Sequence, residues 1–363
     1  MTMPARLLMV AILALLAGCQ TDLPLRDLKE RWGGPPSRFL PMDGIEVHWR
    51  DEGPGGHGRT DPHAPPAPRP PGVGVTTAEP PPPPAPPGPS APTPPPAAAG
   101  VADPEVPAIL LLHGNASSLH TWDGWARRLS PQMRVVRLDL PGFGLTGPHP
   151  SGDYTASATV DFLERFADAA GLRRFVIAGN SLGGYYAWRF ALRHPERVTA
   201  LVLVNSVGYP LETGLSGSVA LQLARTPVIS ELMRFVSVRW AIERSLREVY
   251  ADDARVTRDL VDRYEDLMLR PGNRAALGDR ARGERRPVGW PRLPQIRVPT
   301  LVMWGEHDPW IPIEHAHRFG RDIPRARVVT FPGLGHVPME EDPEATARDL
   351  LRFLRELPGG GAR

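Results

Sequence analysis

The chain has few of the residues that build metal centres or bind polyanions. Among its 363 residues there is one cysteine, Cys19. This excludes intrachain disulfides, thiolate zinc sites and iron–sulfur clusters, because each needs several cysteines. Lys29 is the only lysine, and 42 Lys plus Arg are balanced by 40 Asp plus Glu. Since proteins that bind nucleic acid through many phosphates carry a basic patch or stripe, nucleic acid is not an expected partner.

An apolar run near the N-terminus is too short to span a membrane. It extends from Leu7 to Leu16, about half of the roughly 20 residues that a membrane-spanning helix needs. The run follows Arg6 and precedes Ala17-Gly18-Cys19, a pattern typical of a signal peptide. We therefore expect an exported protein without a permanent transmembrane segment.

The end of this run also resembles a bacterial lipoprotein lipobox, Leu16–Cys19, in which the cysteine is lipidated and becomes the new N-terminus. The resemblance implies that Cys19 carries the lipid and that this anchor is the only attachment to the membrane. The implied location is the periplasmic side of the bacterial cell envelope, and Gln20 rather than Asp after the cysteine favours the outer membrane. The alternative is an ordinary signal peptide with an incidental cysteine.

Proline is abundant and unevenly distributed. Of 45 prolines, 21 lie between Pro54 and Pro107, where large apolar side chains are almost absent. Such a segment cannot build a core and is expected to be disordered. It could be a spacer between an anchor and a domain, or a loop within one domain. The flanks favour the loop, because a strand–Asp43-Gly44–strand hairpin pattern precedes it and the buried-strand run Ile109–Leu112 follows it.

Strand-like and helix-like segments alternate after this region, which predicts an α/β fold with a mostly parallel sheet flanked by helices. The last helix is expected to begin at Asp342 as N-cap with Pro343 in the first turn. Between Ser206 and Pro294, helical patterns follow one another without a strand, which indicates an inserted helical lid. The expected strands are Phe39–Met42, Ile45–Trp49, Ile109–Leu112, Val135–Leu138, Phe175–Ala178, Leu201–Val204, Thr300–Met303 and Val328–Phe331.

These patterns divide the chain into an exported, lidded domain with one insertion. The predicted parts are a signal peptide (1–18), a tether (19–37), the α/β core in two pieces (38–53 with 108–206, and 295–357), the proline-rich insertion (54–107), the lid (207–294) and a tail (358–363).

One short motif indicates a serine nucleophile. The run Gly179–Gly184 contains G-x-S-x-G around Ser181, after a predicted strand and before a helix that His194-Pro195 ends. A serine on a tight strand-to-helix turn needs neighbours without side chains, and the helix N-terminus behind it stabilises developing negative charge. A Gly-rich turn with a capping serine is the simpler alternative, but the strand and helix around it favour the nucleophile.

A serine hydroxyl needs a general base and a carboxylate that orients the base. Asp308 follows the strand that ends at Met303, and His336 follows the strand that ends at Phe331. Both therefore lie on loops at the carboxyl ends of strands, the edge where Ser181 is expected.

With these motifs the chain resembles the lidded α/β-hydrolases over residues 38–357, apart from the proline-rich insertion, which relatives lack. The loops Leu112–Asn115 and Asp139–Gly144 match the His-Gly and Asp-x-Pro-Gly-x-Gly loops of that family. The resemblance implies an enzyme without cofactor or metal. The roles it implies are Ser181 as nucleophile, His336 as base and later acid, Asp308 as orienting carboxylate, and the N–H groups of Leu182 and of Asn115, or alternatively Ala116, as the oxyanion hole.

Other polar residues are expected to have structural roles. His113 and Asp139 are interpreted as hydrogen-bonding organisers of their loops. Asn205 occupies a position where some relatives place the acid, and its lack of charge favours Asp308. Three histidines near Asp308 are expected at the surface without forming a metal pair: His307, His315 and His317.

The expected reaction is hydrolysis of a carboxylic ester of a small to medium apolar substrate. Serine at the nucleophile position argues against the dehalogenase and epoxide-hydrolase relatives, which use aspartate there. Carbon–carbon bond hydrolases and acyltransferases of the same fold stay open, as does a non-enzymatic envelope lipoprotein. The predicted lid contributes apolar candidates for a pocket, although most are expected to pack on the core: Leu232, Met233, Phe235, Trp240, Leu267 and Met268.

Overall fold

A computed structural model describes residues 22–56, 107–210, 239–282 and 287–357. The predicted signal peptide and Cys19, most of the proline-rich segment, part of the lid and the last six residues lie outside this range. The lid residues Leu232, Met233 and Phe235 are among those outside it.

Within the described residues, eight strands form one sheet in the order β1-β2-β4-β3-β5-β6-β7-β8. β1 and β2 are antiparallel to each other, β2 is antiparallel to β4, and the remaining neighbours are parallel. The predicted α/β class with a mostly parallel sheet is therefore confirmed. The strands are β1 (Arg38–Met42), β2 (Ile45–Glu52), β3 (Ala108–Leu112), β4 (Arg134–Leu138), β5 (Phe175–Asn180), β6 (Val198–Val204), β7 (Thr300–Gly305) and β8 (Ala326–Phe331).

The first two strands form the predicted hairpin. Met42 pairs with Ile45, and the two turn residues Asp43 and Gly44 have φ of 53° and 78°. Positive φ at both central residues matches the right-handed twist of the strands. Asp-Gly supplies this geometry because glycine has no Cβ and aspartate tolerates the left-handed region.

The strands on either side of the proline-rich segment belong to the same sheet. β2 pairs with β4 through Trp49 and Leu138, and β3 pairs with β4 through Leu112 and Leu138. The chain therefore leaves and re-enters one sheet around residues 57–106, as the loop interpretation requires.

Helices cover both faces of the sheet. Alternate strand residues point to opposite faces, so Leu110 and Ile177 join one apolar cluster while Ile109 and Val176 join the other. The predicted N-cap is present, since the Asp342 side chain accepts a hydrogen bond from the Ala345 N–H at 2.9 Å. The helices of the core are α2 (Asp123–Leu129), α3 (Ala156–Ala169), α4 (Leu182–Arg193), α8 (Glu314–Asp322), α9 (Pro338–Glu341) and α10 (Pro343–Arg355).

The described part of the predicted lid, residues 239–282 and 287–294, contains three helices between β6 and β7: α5 (Arg239–Val249), α6 (Arg258–Met268) and α7 (Asn273–Arg282). A further helix, α1 (Leu25–Trp32), lies in the segment assigned to the tether and was not predicted. None of the helices in the described ranges is long and apolar enough to cross a membrane.

The helix α1 packs on α6. Arg31 and the indole N–H of Trp32 both contact the carboxylate of Asp266, at 2.5 and 2.9 Å. Leu28 of α1 is 2 % exposed and joins an apolar cluster with Leu267 of α6. The N-terminal part of the described chain is therefore attached to the lid.

Candidate active site

Ser181 lies on the turn between β5 and α4, with φ 53° and ψ −115°. A non-glycine residue in this region is strained, and such strain persists only where the surroundings enforce it. Two glycines, Gly179 and Gly183, allow the backbone segments around Ser181 to approach one another closely. A Cβ on Gly179 would lie 2.2 Å from the carbonyl carbon of Gly183, and a Cβ on Gly183 would lie 2.2 Å from the Leu112 carbonyl oxygen. The turn thus has the tight geometry expected for the G-x-S-x-G motif.

Asp308 and His336 form a buried pair. Nδ1 of His336 donates to Oδ2 of Asp308 at 2.7 Å, and their side chains are 4 % and 1 % exposed. The other carboxylate oxygen, Oδ1, accepts the backbone N–H groups of Trp310 at 2.8 Å and Ile311 at 3.0 Å. The Trp310 ring lies 5.1 Å from the His336 ring between centroids. Because Nδ1 is engaged, Nε2 is the nitrogen of His336 that can take a proton.

Asn205 supports this pair in a way that the sequence analysis did not foresee. Its Nδ2 donates to Oδ2 of Asp308 at 2.8 Å, and its Oδ1 accepts the Gly305 N–H at 3.0 Å. The residue therefore links the end of β6 to the end of β7 and adds a donor to the carboxylate. Its place after a strand was visible in the sequence, but its partner was not.

The backbone of His336 is held by two other parts of the chain. Its carbonyl oxygen accepts from Nδ2 of Asn180 at 3.0 Å, and its N–H donates to the Val249 carbonyl oxygen at 2.8 Å. Asn180 directly precedes Ser181, so the turn of the nucleophile and the loop of the histidine are joined by one side chain. This contact too was missed from sequence.

The two segments that carry the predicted oxyanion donors lie next to Ser181. Leu182 is the first residue of α4, where a backbone N–H has no partner within the helix. Gly114 precedes Asn115, and a Cβ built on Gly114 would lie 3.3 Å from the Cβ of Ser181. The alternative donor Ala116 has φ 54°. The loop after β3 is therefore adjacent to the serine, and the assignment of the two donors stays a prediction.

Asp139 and His113 organise loops, in agreement with the sequence analysis. Oδ2 of Asp139 accepts from Nδ1 of His48 at 2.7 Å, and its two oxygens accept the N–H groups of Leu119 and Leu145 at 2.7 Å each. Burial alone would raise the pKa of the Asp139 carboxyl, but His48 and these donors hold it well below its usual range. His113 lies beside this network.

The imidazole of His113 is buried in its neutral form. Burial lowers its pKa to about 4, although Asp139 acts in the opposite direction. Nδ1 donates to the Gly114 carbonyl at 2.8 Å, and Nε2 accepts the Leu140 N–H at 3.0 Å. A second ring proton would point at that N–H, so the protonated ring does not fit.

We expect His113 to make the folded state sensitive to acid. The ring of His113 takes up a proton near pH 6.5 in the unfolded chain but only near pH 4 in the folded chain. The contribution of the neutral ring to the free energy of unfolding is therefore complete above pH 6.5 and is lost as the pH falls towards 4. The shift corresponds to about 3 kcal/mol of unfolding free energy. Urea unfolding at pH 7.5 and 4.5 measures it. His113→Gln should flatten the pH dependence, whereas exposed His317→Asn should not; equal slopes in all three proteins would refute the assignment.

A narrow cleft lies between the core and the lid, beside the loop that follows β3; Ser181 and His336 are not among its described lining residues. The loop after β3 contributes Ala116, and the lid helix α6 contributes Leu267 and Met268. The Ser117 and Tyr264 hydroxyls are 3.2 Å apart and connect the two sides. None of the described residues that line this cleft is charged: Ala116, Ser117, Ser118, Gly142, Phe143, Gly144, Tyr264, Leu267, Met268, Asn273 and Leu277.

Two expectations about side chains near the site were wrong. Trp240, a pocket candidate, is 65 % exposed on α5 and does not line the cleft. His315 is 6 % exposed and packs edge-on against Tyr209, whereas His307 and His317 are exposed as expected. The face of α8 that carries His315 points into the core. In the parts of the chain that the structure describes, no group of three potential metal ligands converges.

Comparison with known proteins places this arrangement in context. The family model of the alpha/beta hydrolase fold matches residues 107–343. An uncharacterised protein of Mycobacterium tuberculosis is 30 % identical over 265 residues, 68 % of this chain and 75 % of that protein. A 2-hydroxy-6-oxononadienedioate/2-hydroxy-6-oxononatrienedioate hydrolase of Dechloromonas aromatica is 28 % identical, over 69 % of this chain and 87 % of that enzyme. The crystal structure of a membrane phospholipase A, a bacterial virulence factor, superposes with a TM-score of 0.64 at 24 % identity, covering 97 % and 98 % of the two chains.

Proposed function

Because the chain belongs to the α/β-hydrolase family, we propose that it is a serine hydrolase that cleaves neutral carboxylic esters of small to medium apolar groups. The observation that carries this proposal is the buried Asp308–His336 pair, which one side chain, Asn180, joins to the turn of Ser181. A serine activated by an oriented imidazole is the chemistry of acyl transfer.

The proposed reaction has two halves. As Oγ of Ser181 attacks the ester carbonyl, Nε2 of His336 takes its proton, and Asp308 stabilises the imidazolium through Nδ1. The oxyanion is stabilised by the N–H groups of Leu182 and Asn115. The C–O bond then breaks and the alcohol leaves with the proton from His336. Water, deprotonated by the same nitrogen, hydrolyses the acyl-serine and restores the free enzyme.

The uncharged cleft favours an ester over a dienoate. The relative from Dechloromonas aromatica is named for dienedioates, which carry carboxylates. Burying a carboxylate without a cationic partner costs several kcal/mol, and no described residue that lines the cleft is cationic. The guanidinium of Arg280 lies 4.5 Å from the ring centroid of the lining residue Phe143, but it already donates hydrogen bonds to the Tyr186 hydroxyl and the Pro141 carbonyl. The loop Asn115-Ala116-Ser117-Ser118 also differs from the Gly-rich loop expected of carbon–carbon bond hydrolases. That reaction is the second candidate, because a relative has it.

A fluorophosphonate probe tests the nucleophile. Covalent labelling of the full chain at Ser181, absent in Ser181→Ala, supports a serine hydrolase, and absence of labelling in the unaltered protein would favour the non-enzymatic envelope lipoprotein. A separate, unlabelled sample of the enzyme is assayed with a p-nitrophenyl butyrate ester and with a 2-hydroxy-6-oxo-dienoate. Faster turnover of the dienoate would replace the ester proposal, and product formed only with an added alcohol would indicate an acyltransferase.

We also propose that the protein is exported and anchored in the cell envelope through lipidated Cys19. Cys19→Ser is expected to leave ester hydrolysis unchanged, because the cysteine lies before the described domain, and to move the protein out of the membrane fraction or leave it unprocessed. Fractionation and intact-mass measurement check this. Unchanged processing and membrane retention would show that the lipobox interpretation is wrong.

A further inference from the structure

Glu341 is the last residue of the short helix α9 and is 3 % exposed. Both oxygens of its carboxylate bind backbone N–H groups. Oε1 accepts from Gly335 at 2.7 Å, and Oε2 accepts from Ala251 at 2.9 Å. Gly335 directly precedes His336, and Ala251 lies in the lid just after α5. One side chain therefore joins the histidine loop to the lid.

Among the described residues, the buried carboxylate of Glu341 has no ion-pair partner. Burial raises the pKa of its carboxyl, whereas the N–H groups of Ala251 and Gly335 and the charge of Arg255 lower it. A buried charge reduces stability unless its surroundings compensate. Because the buried charge of Glu341 is compensated chiefly by the N–H groups of Gly335 and Ala251, this side chain fixes the positions of those two N–H groups.

The histidine loop and the lid are in direct backbone contact at this point. A Cβ on Gly335 would lie 2.3 Å from the Val249 carbonyl oxygen and 2.9 Å from the Ala251 nitrogen. The N–H of His336 donates to that same Val249 oxygen at 2.8 Å. Glu341 therefore adds two hydrogen bonds to a contact that couples the position of Gly335–His336 to that of Val249–Ala251.

We propose that Glu341 is a positioning residue that fixes the backbone of His336 against the lid segment Val249–Ala251 and so sets the place of the imidazole relative to Ser181. The inference rests on the proposed role of His336 as the general base. Asp308 fixes the orientation of the His336 ring, and Glu341 fixes the position of the histidine loop relative to the lid. The catalytic geometry therefore depends on the position of the lid.

Two substitutions and one matched control test this role. Glu341→Ala removes both acceptors, and Glu341→Gln keeps one acceptor oxygen in the same shape. Glu344→Gln is the control, because Glu344 lies in the next helix, has a side chain that is 62 % exposed, and pairs only with Arg128 among the contacts described. Active sites are titrated with the fluorophosphonate so that kcat on p-nitrophenyl butyrate is measured per competent site.

We expect Glu341→Ala to lower kcat per titrated site about 30- to 100-fold, since a misplacement of about 1 Å can cost about 100-fold. Loss of one hydrogen bond to a charged group predicts an about tenfold fall in Glu341→Gln. KM should change less than about threefold in both, and Glu344→Gln should match the unaltered protein. A purely structural role would reduce the number of titrated sites and leave kcat per site unchanged, which would overturn the proposal.

Hydrogen–deuterium exchange separates this inference from the proposed function. In Glu341→Ala, peptides that contain Gly335–His336 and Val249–Ala251 should both exchange faster, while peptides from β5 stay protected as in the unaltered protein. This readout holds even if the chain hydrolyses no ester. If the unaltered protein neither labels nor hydrolyses, the serine-hydrolase proposal fails by itself. Unchanged exchange at both peptides would overturn the link between lid and histidine loop.

Discussion

Replacing Asp308 by Asn is expected to lower kcat by a factor on the order of 10³ to 10⁴ with little change in substrate binding. This equals roughly 4 to 5.5 kcal/mol of transition-state stabilisation. The measurement is steady-state hydrolysis of a p-nitrophenyl ester per titrated site, with KM determined separately.

The contacts of Asp308 explain why an isosteric change should be so costly. Oδ1 accepts two backbone N–H groups, so the amide oxygen of the new Asn would occupy that position. Its NH₂ group would then face His336 and the Nδ2 of Asn205, which both interact with Oδ2. An NH₂ donor at Nδ1 places the ring proton on Nε2, the nitrogen that must accept the proton of Ser181.

Glu306 is the internal control for this prediction. It lies two residues before Asp308 on the same loop and is exposed. Glu306→Gln should cost less than about tenfold, or roughly 1.4 kcal/mol, because an exposed carboxylate acts only through screened electrostatics. Comparable losses at both positions would leave the acid unassigned, and a near-normal Asp308→Asn enzyme would remove this residue from the mechanism.

Gly183→Ala on the nucleophile turn should strongly destabilise the fold. The added Cβ would lie 2.2 Å from the Leu112 carbonyl oxygen and 2.5 Å from that of His113. Both are backbone atoms of the central strand β3 and the loop that follows it, so no side chain can turn away to make room. We expect a loss of at least about 3 kcal/mol in the free energy of unfolding, the upper range for overpacking, measured by urea unfolding.

Gly34→Ala provides the comparison for a methyl group in open space. A Cβ there meets nothing within 4 Å, so its effect should stay within about 0.5 kcal/mol. If Gly183→Ala unfolds at the same urea concentration as the unaltered protein, the close approach of α4 to β3 is wrong. If it folds but no longer reacts with the fluorophosphonate, the methyl group has displaced the turn without disrupting the sheet.

The sequence predicted best where local pattern and chemistry coincide. The eight strands of the described residues appear as apolar runs in the sequence, and the structure extends each of them by one to three residues; β6, for example, begins at Val198 rather than Leu201. Most of the extra residues are polar or small, so hydrophobicity does not mark them; Val198 and Trp304 are the apolar exceptions. The Asp43-Gly44 turn and the Asp342 cap were visible because each depends on residues close together in the chain.

Contacts between distant residues could not be read in this way. Asn205 and Asp308 are 103 residues apart, and Asn180 and His336 are 156 apart. Asn180 is the last residue of β5 and Asn205 directly follows β6. The residues next to them in the sequence do not indicate which distant residue each asparagine contacts. Only the order of the strands brings them together. His315 was misassigned for a related reason, since the buried face of α8 depends on how that helix packs.

The attachment of α1 to the lid has a consequence for how the protein would sit on a surface. Asp22 lies three residues after Cys19, a distance that an extended chain covers in about 10 Å. If Cys19 carries the proposed lipid, only a short segment separates the lipid from α1. Leu28 of α1 packs on Leu267, and Leu267 lines the cleft. The membrane would then lie on the side of the molecule that carries α1 and the lid, close to the residues that line the cleft.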